Sequence, residues 1–170
     1  MADDLRVERN DAASVQPIIT RPPRRAHRGL QPHLGGLNYF MVNGNGGPNI
    51  GPYGGGGSQN CCVTLPRQWH PGLTVVVEWE KDPTPHAYAD WPEPRFSDAW
   101  HVRMKKEKTN NTRHRAVVEV APYEVLGVVD VHFLPCDQVA VSAVAATPGH
   151  AKYPFSYPSK MEEPAVCPAP

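Results

Sequence analysis

At 170 residues, with 17 basic and 17 acidic side chains, the chain has the size of one domain plus tails. Its balanced charge argues against a dedicated binder of nucleic acid or anionic membrane, which carries a basic excess. Proline occurs 20 times, more than twice the usual ~5%, and proline that dense breaks long helices by removing a donor and clashing with the preceding turn.

The first residues, MADDLRVERNDAASVQP, are acidic and polar. They show no charged-then-apolar signal peptide and no lipobox cysteine. No apolar run approaches the ~20 residues of a spanning helix, so no transmembrane segment is expected; taken literally, the chain is soluble and not exported. Residues 1–31 are rich in charge, Pro and Ala, which predicts a disordered or loosely docked arm. Val15–Ile19 could dock as an edge strand, against the grain of Pro17. Residues 32–155 are expected to form the single domain and residues 156–170 a Pro-rich tail. The basic stretches Arg21–Arg28 and Arg103–Arg115 are expected to be solvated surface or tail.

Leu37–Val42 (LNYFMV) is the first strand, bounded by Gly35-Gly36 and by the turn signal Asn43-Gly44. Eight of the fourteen glycines then fall between Gly44 and Gly57. Glycine concentrated in this way marks backbone that takes φ > 0 or passes close to something else. A phosphate-cradling loop needs a helix N-terminus after it, and no helical pattern follows. Cys61–Leu65 is a second strand, and RQWHPG a turn in which Trp69 packs over the core edge. In Leu73–Glu80, Val75, Val77 and Trp79 share one face, so this strand is buried on one side. Lys81–Ala99 is a Pro-rich irregular stretch, long for a structureless loop. Trp100–Lys106 alternates apolar and polar residues and predicts a strand with a basic outer face. Ala116–Val120 is another strand. Gly127–Leu134 and Gln138–Ala145 form a hairpin around Pro135-Cys136-Asp137. Tyr153, Phe155 and Tyr157 are placed to clamp the start of the tail onto the sheet. About seven short strands at turn-punctuated spacing predict an all-β fold, an antiparallel β-sandwich with irregular termini.

Cys61, Cys62, Cys136 and Cys167 show no CxxC pair and no Cys/His zinc spacing. Successive strand residues point to opposite faces, so at most one of Cys61 and Cys62 faces the core. Two readings stay open: a disulfide from Cys61 or Cys62 to Cys136 in an oxidising compartment, or buried free thiols. His70, His101, His114 and His132 are spread over different strands or loops without metal-ligand spacing. No GxSxG elbow and no pocket-lining acid/base set is apparent. No catalytic residue, metal or other cofactor is therefore expected. What remains is a small β scaffold carrying contact loops, the usual build of a binding module.

Three segments carry a resemblance: GLNYFMVNGNGGPNI, CCVTLPRQWHPGLTVVVEW, and DVHFLPCDQVAV followed by Pro148–Pro154. Together they resemble the DUF3304 family of bacterial proteins, over roughly Gly29–Pro154. Members are similar to small lipoproteins encoded near type VI secretion genes, beside phospholipase effectors. The resemblance implies a non-catalytic immunity protein that binds a cognate toxic lipase and blocks it in the periplasm. It also implies a location at the periplasmic face of the inner membrane. The start of this chain departs from the lipoprotein pattern, which leaves the cytoplasm open. For such a role the candidate partner-binding residues are Asn45, Asn49, Tyr53, Arg67, Trp69 and Trp91. Two other readings stand beside it: an envelope protein with a structural role, and a thiol- or metal-dependent enzyme using Cys61, Cys62 and a His.

Overall fold

A computed structural model describes residues 22–30, 35–55 and 58–168. Among these the chain forms eight strands in two four-stranded sheets. The strands are β1 (Arg24–Leu30), β2 (Gly36–Val42), β3 (Asn45–Gly46), β4 (Asn60–Thr64), β5 (Thr74–Asp82), β6 (Thr112–Glu119), β7 (Leu126–Phe133) and β8 (Val139–Val144). One sheet runs β4-β1-β7-β8 and the other β3-β2-β5-β6. The fold is all-β, as the turn-punctuated strand pattern predicts. Strand pairs are antiparallel except β1 with β7, which run parallel.

The core lies between the sheets. Phe40, Val63, Val75, Val77, Val129, Val131 and Val141 are among its most buried members. Phe133 meets Phe40 edge-on at 5.3 Å and Trp79 at 5.7 Å, an arrangement that adds to area burial. Val75, Val77 and Trp79 face inward from β5, as their spacing predicts. Trp69 donates its indole N–H to the Val120 carbonyl at 2.8 Å, and Tyr123 donates to the Pro66 carbonyl at 2.7 Å. These two bonds tie the β4–β5 turn to the chain leaving β6.

Three expectations are corrected. The first is the arm. Its residues 1–21 lie outside the described residues, and with them Val15–Ile19, but Arg24–Leu30 is the second strand of its sheet. The charged sequence RRAHRGL hides this because Arg28 is neutralised inside the protein rather than solvated.

The second correction concerns Trp100–Lys106. It belongs to helix α1 (Asp98–Glu107), not to a strand. Ser97 caps the helix by accepting from the Trp100 N–H at 3.2 Å, Asp98 lies in the first turn and Lys105 and Lys106 in the last, all of which favour a helix locally. None of its residues is buried, so no apolar period announces it.

Third, neither reading of the cysteines holds, whether a bridge from Cys61 or Cys62 to Cys136 or free thiols. Cys61 pairs with Cys62, and Cys136 with Cys167. Strand β4 sits two places from β7 in the sheet, which keeps its cysteines away from the corner holding Cys136. Cys62 faces inward and Cys61 outward.

The Pro-rich tail is irregular, as expected, and the Cys136–Cys167 bond and a 2.7 Å hydrogen bond from the Cys136 N–H to the Glu163 carboxylate fasten it to the β7–β8 corner.

The strands β5 and β6 are adjacent to their very ends, with Lys81 opposite Thr112. Residues 83–111 are therefore an excursion from what would otherwise be a plain hairpin, and none of them is buried. No helix among the described residues is long and apolar enough to cross a membrane.

Replacing Cys136 and Cys167 together by Ser should lower the unfolding free energy by about 2–4 kcal/mol, as expected for opening a loop of this size. Urea denaturation of the variant against the parent reads the effect. Superimposable curves would show that this bond does not constrain the tail.

Candidate functional site: an aromatic cleft over a buried polar row

Strand registers set Arg28, Asp130 and Ser142 side by side across β1, β7 and β8. Along β7 the odd residues Val129, Val131 and Phe133 enter the core, so Asp130 and His132 face the other side of the sheet. That side is also closed off. Asp130 is 1% exposed, His132 6% and Ser142 0%. What covers them is the segment after β8, whose Tyr153 is itself buried.

The groups satisfy one another. The Arg28 guanidinium binds Asp130 with two bonds, Nε to Oδ1 and a terminal nitrogen to Oδ2 at 3.0 Å. The Tyr153 hydroxyl donates to Oδ2 of the same carboxylate at 3.0 Å. Its oxygen lies 2.7 Å from His132 Nε2. With the hydroxyl proton committed to Asp130, the tyrosine oxygen accepts from His132, which assigns the imidazole proton to Nε2. Burial lowers the His132 pKa from 6.5 to about 4, helped by Arg28 and opposed by Asp130, so the ring is neutral near pH 7. Burial and the Asp130 charge raise the Tyr153 pKa, so the phenol keeps its proton. The hydrogen bond to Asp130 raises that of Arg28.

Above this row lies a cleft of about 340 Å³ whose walls include Tyr53, Gly55, His132, Phe155, Tyr157 and Pro158. Phe155 stands edge-on to His132 at 5.3 Å and stacks on Tyr157 at 5.4 Å. One wall is therefore the expected aromatic clamp. The opposite wall is the Gly-rich loop, held where Gly55 bridges Leu30 of β1. Gly55 has φ +114°, and a Cβ there would collide with the Gly29 carbonyl; only glycine fits. The loop approaches the end of β1, which the sequence could not name. Lys160 from the tail stands over the Tyr53 ring at 5.5 Å and links the two walls.

Of the predicted contact residues, the cleft gathers Tyr53, which is 41% exposed. Asn45 spends its amide on the Val42 and Asn43 carbonyls. Asn49 and Arg67 are exposed. Trp69 is the half-buried wedge described above. Trp91 is half-buried in the excursion under Arg103, 5.0 Å from its ring. Sequence reasoning missed Arg28 and Asp130. The available signal was Asp130 and His132 at i and i+2 in a strand too apolar to be solvated on either face.

All four cysteines are in disulfides, so none presents a thiolate. Cys136, Glu163 and Cys167 come within 4.8 Å of one another, but the two sulfurs there are joined to each other.

The family model described as a protein of unknown function (DUF3304) matches residues 34–141, more than half of the 170-residue chain. No curated protein and no solved structure matches.

The depressed His132 pKa makes stability depend on pH in a defined window. Between pH 6.5 and about 4 the unfolded chain binds a proton at this ring that the folded chain refuses. Stability from this group is therefore fully present above pH 6.5 and falls as the solution is acidified toward 4, by up to about 1.4 kcal/mol per pH unit. His132→Gln, which keeps a donor for Tyr153, should flatten that slope in denaturation curves collected across the window. An unchanged slope would place the titration elsewhere.

Proposed function

Since the chain belongs to the DUF3304 family, whose activity its description leaves open, we propose that it is a non-catalytic binding protein that neutralises a cognate protein toxin. The partner we propose is a phospholipase or lipase effector of a type VI secretion system, which makes the chain the matching immunity protein. The cleft between the Gly-rich loop and the tail is the contact site in this reading.

One observation carries it. Every ionisable group beneath the cleft is engaged with another. Asp130 is held by Arg28 and Tyr153, and the His132 Nε2 proton goes to Tyr153. What faces outward is aromatic and proline surface on a rigid sheet, with Tyr53 and Tyr157 open to solvent. Catalysis by acid and base needs a group free to exchange its proton at the operating pH. Recognition needs anchored aromatic side chains on a firm support. The cleft supplies the second. Two disulfides favour an oxidising compartment, in keeping with a periplasmic site of action.

The test is direct. The purified chain is mixed with a candidate phospholipase effector, and lipid hydrolysis and binding heat are recorded. Inhibition at one-to-one stoichiometry is expected. Replacing Tyr53 and Tyr157 together by Ala should weaken binding by about 2–4 kcal/mol, with circular dichroism checking that the fold is kept. An effector that neither binds nor loses activity removes the proposal.

A further inference from the structure

Residues 83–111 do nothing for the core, yet they are built with care. They leave β5 at Asp82 and return at Thr112, one residue from where a tight hairpin would have closed. None of them is buried. Excursions longer than about 12–15 residues are usually either disordered or functional, and this one is ordered. Ser97 caps α1. Arg103 lies over Trp91 and pairs with Glu93 and Glu107. Arg95 lies over Tyr88 at 5.2 Å. Trp91, Phe96 and Trp100 form one ring cluster, at 6.0 and 5.3 Å.

The rigid frame presents its apolar side to solvent. Phe96 is 74% exposed and Val102 70% exposed. Phe96 also has φ +66°, a conformation that a bulky side chain adopts only under constraint. Its ring meets Trp100 at 5.3 Å, and the rest of the side chain stands in water. One turn on from Val102, the end of α1 carries Lys105 and Lys106, and Lys108 follows the helix. All three are exposed and have no carboxylate partner among the described residues.

We propose that the 83–111 excursion is a second protein-docking surface, with Phe96 and Val102 as its apolar anchor and the three lysines as its charged rim. The partner surface it fits is an apolar pocket bordered by carboxylates. Tryptophan and arginine in a packed, pre-ordered cluster are the residue types that dominate binding hot spots, and pre-ordering lowers the entropy lost on association. The lysines would steer an acidic partner into place and make association sensitive to salt. The proposal rests on the reading above in taking the effector as that partner. It shares no residue with the cleft, so the two surfaces can be tested apart.

The experiment measures binding of the effector to four forms of the full chain by calorimetry. These are the parent, the cleft variant (Tyr53→Ala with Tyr157→Ala), the anchor variant (Phe96→Ser with Val102→Ser) and the rim variant (Lys105→Glu with Lys106→Glu). Both anchor side chains are exposed, so the anchor variant should fold as well as the parent, and circular dichroism checks this. Binding by the anchor variant at least about tenfold weaker than the parent is expected. The rim variant should associate more slowly at low salt and lose most of the parent's salt dependence. Should the anchor variant fail to fold, replacing 83–111 by a short turn between Asp82 and Thr112 gives the same readout. Parent-like binding by the anchor or turn variant would overturn this proposal and leave the cleft reading standing. No binding by the parent would overturn both.

Discussion

Asp130 keeps 1% of its surface exposed, and a charge taken that far from water is tolerated only when it is paired and fully hydrogen-bonded. Much of the architecture follows from meeting that condition. Arg28 supplies the countercharge, and it can do so only from a strand directly beside β7 in one register. A slip of one residue would turn Arg28 toward the core and Gly29 toward Asp130. The pair thus fixes where β1 sits and why a charged segment is drawn into a sheet beside the Val-rich β7. The carboxylate still needs a further donor, which Tyr153 provides. Tyr153 brings the segment after β8 across the outer face of the sheet, and that segment becomes a wall of the cleft. Breaking such a pair by removing one partner typically costs about 3–5 kcal/mol, so the cleft and the sheet stand or fall together.

The strands legible in the sequence are those whose stability comes from apolar burial. Leu37–Val42, Leu73–Glu80 and the 127–145 hairpin announce themselves by alternation or by unbroken Val-rich runs, and each is present with its ends shifted by at most two residues. The elements that were misread draw their stability from elsewhere. Strand β1 reads as solvated arm because its decisive contact is with a residue about a hundred positions away. Helix α1 reads as strand because it buries nothing, so the alternation of Trp100, Val102 and Met104 had no packing meaning, whereas the Ser97 cap was the informative signal. The Cys136–Cys167 pairing is hidden for a related reason. Separation in sequence says little about distance when β4 and β7 are kept apart by an intervening strand that could not be seen.

The site was half legible. The clamp of Tyr153, Phe155 and Tyr157 could be anticipated from aromatic spacing in an otherwise proline-broken tail, and Tyr53 from its place in the Gly-rich loop. The polar row beneath could not be assembled from spacing, because its members come from β1, β7, β8 and the tail. Yet Asp130 and His132 carried a hint. In a strand covered on both faces, two polar side chains on the same side predict a buried network, since leaving either unsatisfied would cost more than a strand of this length returns. Isolated histidines are often core groups with a hydrogen-bond partner, and His132 is one of them.

The cleft and the excursion answer to different constraints, and the contrast helps to assign them. The cleft is stiff because it is continuous with the sheet. The bridge of Gly55 to β1 and the Tyr153 hydrogen bond hold its two walls to the sheet. A surface of that kind recognises shape, and it can change little without disturbing the core. The excursion is stiff through its own contacts and meets the scaffold at two adjacent strand ends. Its sequence can vary without consequence for folding, as long as the cap and the Arg103 contacts persist. A binding protein that must follow a changing partner gains from having both: one face fixed by the fold, and one free to be rewritten residue by residue. In the complex proposed above, Phe96, Val102 and the lysines at the end of α1 would carry specificity, and the fixed cleft would carry affinity.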